Sequence, residues 1–103
     1  MAWHRVASSE EAGGVRRWLP VAAGGQEIAV TRLGEDWFAV QDRCTHAGCA
    51  FSEEASIENG RIVCNCHGSE FDLRTGEVLR GPAEYPVRTF AVRLGDGGLE
   101  VEV

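Results

Sequence analysis

A chain of 103 residues, 44% hydrophobic and 25% charged, has room for one domain around a single buried core, and its make-up excludes a disordered chain. Its formal charge is −6, and all ten basic residues are arginines scattered along the sequence, so nucleic acid is excluded for want of clustered cations. No window approaches the roughly 20 apolar residues of a membrane span, and Met1-Ala-Trp-His-Arg5 opens no export signal. The expectation is a cytoplasmic protein without membrane insertion.

Thirteen glycines against three prolines favour short strands joined by tight turns, and hence an all-β antiparallel fold. In chain order, Trp3 to Val6 reads as a strand. Ser8 to Gly14 reads as a helical turn capped by Ser8 or Ser9, with Glu10 and Glu11 in its first turn. Trp18 to Val21 follows as a strand. Gln26 to Leu33 alternates polar and apolar residues, which predicts a half-buried strand. Gly34-Glu35-Asp36 turns it back into Trp37 to Gln41. Asn59-Gly60, where both turn positions need positive φ, joins Ser56–Glu58 to Arg61–Cys64. Glu70–Leu73 and Thr75–Val78 suggest a further hairpin, and Val87–Leu94 and Leu99–Val103 two closing strands. Trp3, Trp18, Trp37, Phe38 and Phe90 read as core, and His4 as a surface side chain.

The chemistry lies in Cys44-Thr45-His46 and Cys64-Asn65-Cys66-His67. Each stretch puts a thiol and an imidazole within a few residues, and 17 residues separate His46 from Cys64. Both stretches sit beyond predicted strands, where two loops can converge on one point. Two cysteines and two histidines suit a [2Fe–2S] cluster with two cysteines on one iron and two histidines on the other. A structural zinc ion accepts the same four ligands, but each knuckle here is mixed, and zinc leaves Cys49 and Cys66 without a role. A cysteine hydrolase needs one thiolate beside one base and leaves the duplicated pattern unexplained.

Cys44-x-His46 followed by Cys64-x-x-His67, with flanking features from about Trp37 to Gly76 and the Gly81-Pro82 loop, resembles the ligand signature of the Rieske iron–sulfur family. The resemblance implies a Rieske-type antiparallel β-sandwich over residues 1–103, with a small cluster-binding subdomain of two loops at approximately 43–83. It implies Cys44 and Cys64 on the first iron, and His46 and His67 on the second at an exposed tip, where an electron enters and leaves. Cys49 and Cys66 match the pair that forms a loop-to-loop disulfide in high-potential members, two free buried thiols being the alternative. Hydrogen bonds to cluster sulfur favour the reduced state. Ser69 sits where high-potential members carry a serine donor, whereas Phe71 replaces their tyrosine donor, so an intermediate potential is expected. Gly81-Pro82 resembles the loop that covers the cluster from a third side, with a plain surface turn as the alternative. Gly48, Gly68 and Gly81 fit either close backbone approach to the cluster or ordinary turns.

Oxygenases of this family append a second domain with a two-histidine, one-carboxylate iron site, for which 103 residues leave no room. The resemblance therefore implies a monomeric one-electron carrier without catalytic residues. Its implied partners are a flavin-dependent ferredoxin reductase and a terminal oxygenase of the aromatic-ring-hydroxylating type. The alternatives are a small Rieske subunit of an assimilatory nitrite reductase and a soluble relative of the high-potential Rieske protein of quinol-oxidising cytochrome complexes. The acidic charge suits a basic redox partner, because long-range attraction speeds encounter.

Overall fold

The computed structural model describes residues 1–46 and 48–103. Its strands, in chain order, are β1 (Trp3–Ala7), β2 (Leu19–Ala23), β3 (Gln26–Leu33), β4 (Asp36–Gln41), β5 (Ala55–Glu58), β6 (Arg61–Cys64), β7 (Glu70–Asp72), β8 (Val78–Arg80), β9 (Thr89–Phe90), β10 (Val92–Gly95) and β11 (Gly98–Glu102). Two short helices, α1 (Ser9–Gly13) and α2 (Phe51–Glu54), interrupt them. The strands form three antiparallel sheets, ordered β1-β11-β10, β2-β3-β4-β9 and β5-β6-β7-β8.

The middle sheet is covered on both faces, and strand alternation sorts its side chains between two cores. Ile28, Val30 and Ala39 pack with Leu99 and Val101 of the first sheet. Ala29 and Val40 face the other way and pack with Phe51, Ile62, Phe71 and Leu73. This corrects the half-buried reading of residues 26–33: Ile28 to Thr31 are all buried, because both faces of β3 meet protein. The buried Thr31 hydroxyl is satisfied by donating to the Arg17 carbonyl.

Two further expectations change. Residues 87–94 are not one strand, since β9 pairs with β4 whereas β10 pairs with β11, and the chain changes sheets at Ala91. Thr75 to Glu77 lie in the turn rather than in a strand, with Gly76 at φ 79°, and the partner strand begins at Val78. The five aromatics read as core are only partly buried. They rim the two cores, except Trp3, which lies under the Arg93 guanidinium, 3.9 Å from its ring centroid. The turn after Ser8 forms as expected: Ser8 Oγ accepts the Glu11 N–H and Glu11 accepts the Ser8 N–H, a reciprocal cap that also lowers the Glu11 carboxyl pKa.

The third sheet is held against the second by residues before β2. Trp18 Nε1 and Arg17 Nη2 both donate to the Ala55 carbonyl, at 3.1 and 2.8 Å. The Trp18 ring stacks on Phe51, centroids 6.4 Å apart, and Phe51 meets Phe71 edge-on at 5.6 Å. Asn59 (φ 53°) and Gly60 (φ 74°) adopt the positive φ that a two-residue turn between β5 and β6 demands. The β5–β6 hairpin thus delivers Cys64 at a strand end, as β4 delivers Cys44 three residues after its own.

Candidate metal centre

Cys44 and Cys64 each open a turn with the same hydrogen bonds. In each, the cysteine carbonyl accepts the N–H of the glycine four residues on, Gly48 to Cys44 and Gly68 to Cys64, both at 2.9 Å. The cysteine N–H in turn donates to the carbonyl five residues on, Cys44 to Cys49 at 2.8 Å and Cys64 to Ser69 at 2.9 Å. Gly48 and Gly68 sit at φ 71° and 84°, which L side chains adopt only with strain. Nothing lies within 4 Å of a Cβ built on either, so the turn itself accounts for both glycines.

Facing turns put the thiols inside and the imidazoles outside. Cys44 and Cys64 are free thiols, 4% and 1% exposed, in the core with Phe51 and Phe71. His46 and His67 are exposed, with ring centroids 4.9 Å apart and planes nearly perpendicular. Burial pushes the Cys64 thiol above the usual thiol range and the neighbouring Cys44 adds to this, while backbone N–H groups of Cys66 and His67 pull the other way. Cys49 and Cys66 form a disulfide, Cα atoms 6.8 Å apart. It joins the sixth residue of the first turn to the third of the second.

A third segment closes the group. The Ala83 N–H donates to Ser69 Oγ at 3.0 Å, and Thr45 Oγ1 donates to the Tyr85 carbonyl at 2.6 Å. Residues 81–87 are therefore fastened once to each ligand turn. Gly81 and Pro82, joined by a cis bond, are exposed, and Pro82 lines a notch of about 340 Å³ with Thr45, His46, Glu84 and Tyr85. Ser69 and Phe71 are fully buried.

Sequence reasoning missed the residues that brace the first turn. Asp42, 6% exposed, accepts the Ser52 N–H at 2.8 Å and the Ser52 hydroxyl at 2.5 Å, tying the turn to α2. Arg43 donates to the Gly48 carbonyl at 3.0 Å and pairs with Glu27 of β3. Their position just before Cys44 was the available signal.

Among the described residues, no three His, Cys, Asp or Glu side chains are gathered to hold a single metal ion. Paired thiols inside and paired imidazoles outside fit a two-iron group, which divides its ligands, better than one tetrahedral zinc. The Rieske [2Fe-2S] domain family matches residues 2–91. The chain belongs to that family. Its cofactor is one Rieske-type [2Fe–2S] cluster.

This Rieske protein is 41% identical over 81 residues to the anthranilate 1,2-dioxygenase ferredoxin subunit of Burkholderia cepacia, covering 79% of this chain and 74% of the relative. Its fold matches the ferredoxin of carbazole 1,9a-dioxygenase from Nocardioides aromaticivorans IC177 with a TM-score of 0.85 and 25% identity, over 98% of this chain and 97% of that one. It also matches a chain in the complex of reduced oxygenase and oxidized ferredoxin in carbazole 1,9a-dioxygenase, with a TM-score of 0.82 and 28% identity, over 96% and 91% of the two chains. No helix among the described residues of this Rieske protein is long and apolar enough to cross a membrane.

Proposed function

We propose that this Rieske protein is the ferredoxin of a multicomponent oxygenase, holding its cluster through Cys44, His46, Cys64 and His67 and itself performing no substrate chemistry. The observation that carries the ligand assignment is the split in exposure: two free thiols buried, two imidazoles 4.9 Å apart at the surface. When bound, the cluster accepts and returns one electron. Cys44 and Cys64 would hold one iron from the core, beside Phe51 and Phe71. His46 and His67 would hold the other, with their exposed imidazoles facing a partner. The Cys49–Cys66 bridge ties the two turns together, and Asp42 and Arg43 brace the first, so that little rearranges when charge arrives.

The similarity to dioxygenase ferredoxin subunits supports a terminal oxygenase as acceptor, of the aromatic-ring-hydroxylating type, and a flavin-dependent reductase as donor. We take the protein to act as a monomer in the cytoplasm, with residues 43–83 as the cluster-binding part of a single domain. The Ser69 hydroxyl supports a potential above that of ferredoxins lacking such a donor. The absent hydroxyl at Phe71 supports one below that of the respiratory proteins. Iron and acid-labile sulfide assays on His46→Ala, His67→Ala and the control His4→Ala test the ligand set. Both ligand variants should lose the cluster while His4→Ala keeps it, and a full visible spectrum in either ligand variant refutes the assignment.

A further inference from the structure

Only five large apolar side chains are strongly exposed among the described residues: Met1, Leu33, Leu79, Tyr85 and Leu94. Leu79 and Tyr85 flank the segment that borders His46. Tyr85, 67% exposed, is not on a loose loop, because its carbonyl holds the Thr45 hydroxyl and the following turn is pinned by the Val87 N–H to the Gly76 carbonyl at 2.9 Å. A large ring kept in water on a fixed backbone loses little conformational freedom on binding, which is what an interface anchor requires.

Carboxylates with no described ion-pair partner lie beside it and on α2. Glu84 shares the notch with His46 and Tyr85, and no described cation pairs with it or with Glu53 and Glu54 on α2. The Glu54 carbonyl accepts the Asn65 N–H at 2.9 Å, so α2 abuts the second ligand turn. Of the nearby arginines, Arg43 pairs with Glu27, and Arg80 shares Glu70 with Arg61. We infer that the Glu84–Tyr85 notch beside His46 is a docking contact for a basic redox protein, Glu84 receiving an arginine or lysine while Tyr85 covers an apolar surface next to it. The inference rests on the carrier reading and adds which residues hold the partner.

Oxidised cytochrome c, a basic one-electron acceptor, serves as the probe. Its binding to the cluster-loaded protein is titrated calorimetrically at about 0.1 M ionic strength, where exposed charges act over about 10 Å. The rate at which the reduced protein passes its electron is measured alongside. Glu84→Lys and Tyr85→Ala should each weaken binding by about fivefold or more, with the visible spectrum unchanged. Glu35→Lys makes the same charge change at the far end of β4, whose strand rise spans about 17 Å from Asp36 to Gln41, and Leu94→Ala removes an exposed apolar side chain on β10. Both controls should bind within twofold of the parent.

Equal weakening by Glu84→Lys and Glu35→Lys would reduce the effect to net charge and overturn the notch. Binding unaffected by both notch variants would overturn it as well. If the parent protein exchanges no electron reversibly with an electrode, the carrier reading fails and the docking inference with it. If it does exchange while the notch variants bind like the parent, only the docking inference fails.

Discussion

Ser69→Ala separates two jobs that one hydroxyl is positioned to do. Ser69 is fully buried and its Oγ accepts the Ala83 N–H at 3.0 Å. Accepting leaves the hydroxyl proton free to point elsewhere, and under the proposed function it points at cluster sulfur. Alanine leaves the Ala83 N–H buried without an acceptor, at a cost of about 1–3 kcal/mol. For a domain of this size each kcal/mol shifts the melting temperature by about 4–8 °C. The second loss is redox: a hydrogen bond to a more negative acceptor gains about 1 kcal/mol over one to a neutral acceptor. Since about 1.4 kcal/mol corresponds to about 59 mV for one electron, the potential should fall by about 40 mV. Thermal melting followed by circular dichroism reads the first effect, and protein-film voltammetry the second. A lowered melting temperature with an unchanged potential refutes the bond to the cluster. An unchanged melting temperature refutes the role of the bond to Ala83.

Replacing Cys49 and Cys66 together by serine opens a bridge with a sequence separation of 17 and should cost about 3 kcal/mol; a denaturation midpoint equal to that of the parent would show that the cluster turns hold themselves. Phe71→Tyr should raise the potential if the new hydroxyl reaches a cysteine sulfur, and an unchanged voltammogram counts against that geometry. Gly68→Ala, with open space around a Cβ and φ 84°, should cost only the left-handed strain of about 1–2 kcal/mol. Gly76→Ala should cost at least twice as much, because its Cβ would sit 2.2 Å from the Val87 carbonyl oxygen; similar unfolding free energies for the two would show that the backbone there yields.

The parts of the fold legible in the sequence were those governed locally. Asn59-Gly60 demands one kind of turn, Gln26 to Leu33 forms a strand with the bounds that its pattern suggests, and Ser8 with Glu11 spells a cap. What escaped was decided at a distance. Burial of both faces of β3 depends on a third sheet assembled from residues 55–80, and the break at Ala91 follows from β9 and β10 having different partners. Helix α2, of four residues, carries no periodicity to read. The cysteines and histidines of the centre stood out because their spacing is a chemical requirement. Thr45, Asp42, Arg43 and Ser52 brace those ligands through hydrogen bonds to residues up to 40 positions away, and the sequence shows only that the first three adjoin Cys44, not what they bond.

Nitrogen ligation of the reduced cluster is the most direct test of the whole account. One-electron reduction followed by pulsed electron paramagnetic resonance should give a signal from a two-iron centre, with strong couplings to two imidazole nitrogens. His46→Ala and His67→Ala should each abolish the signal. A centre with no nitrogen couplings, or protein that returns zinc and no acid-labile sulfide, would contradict it.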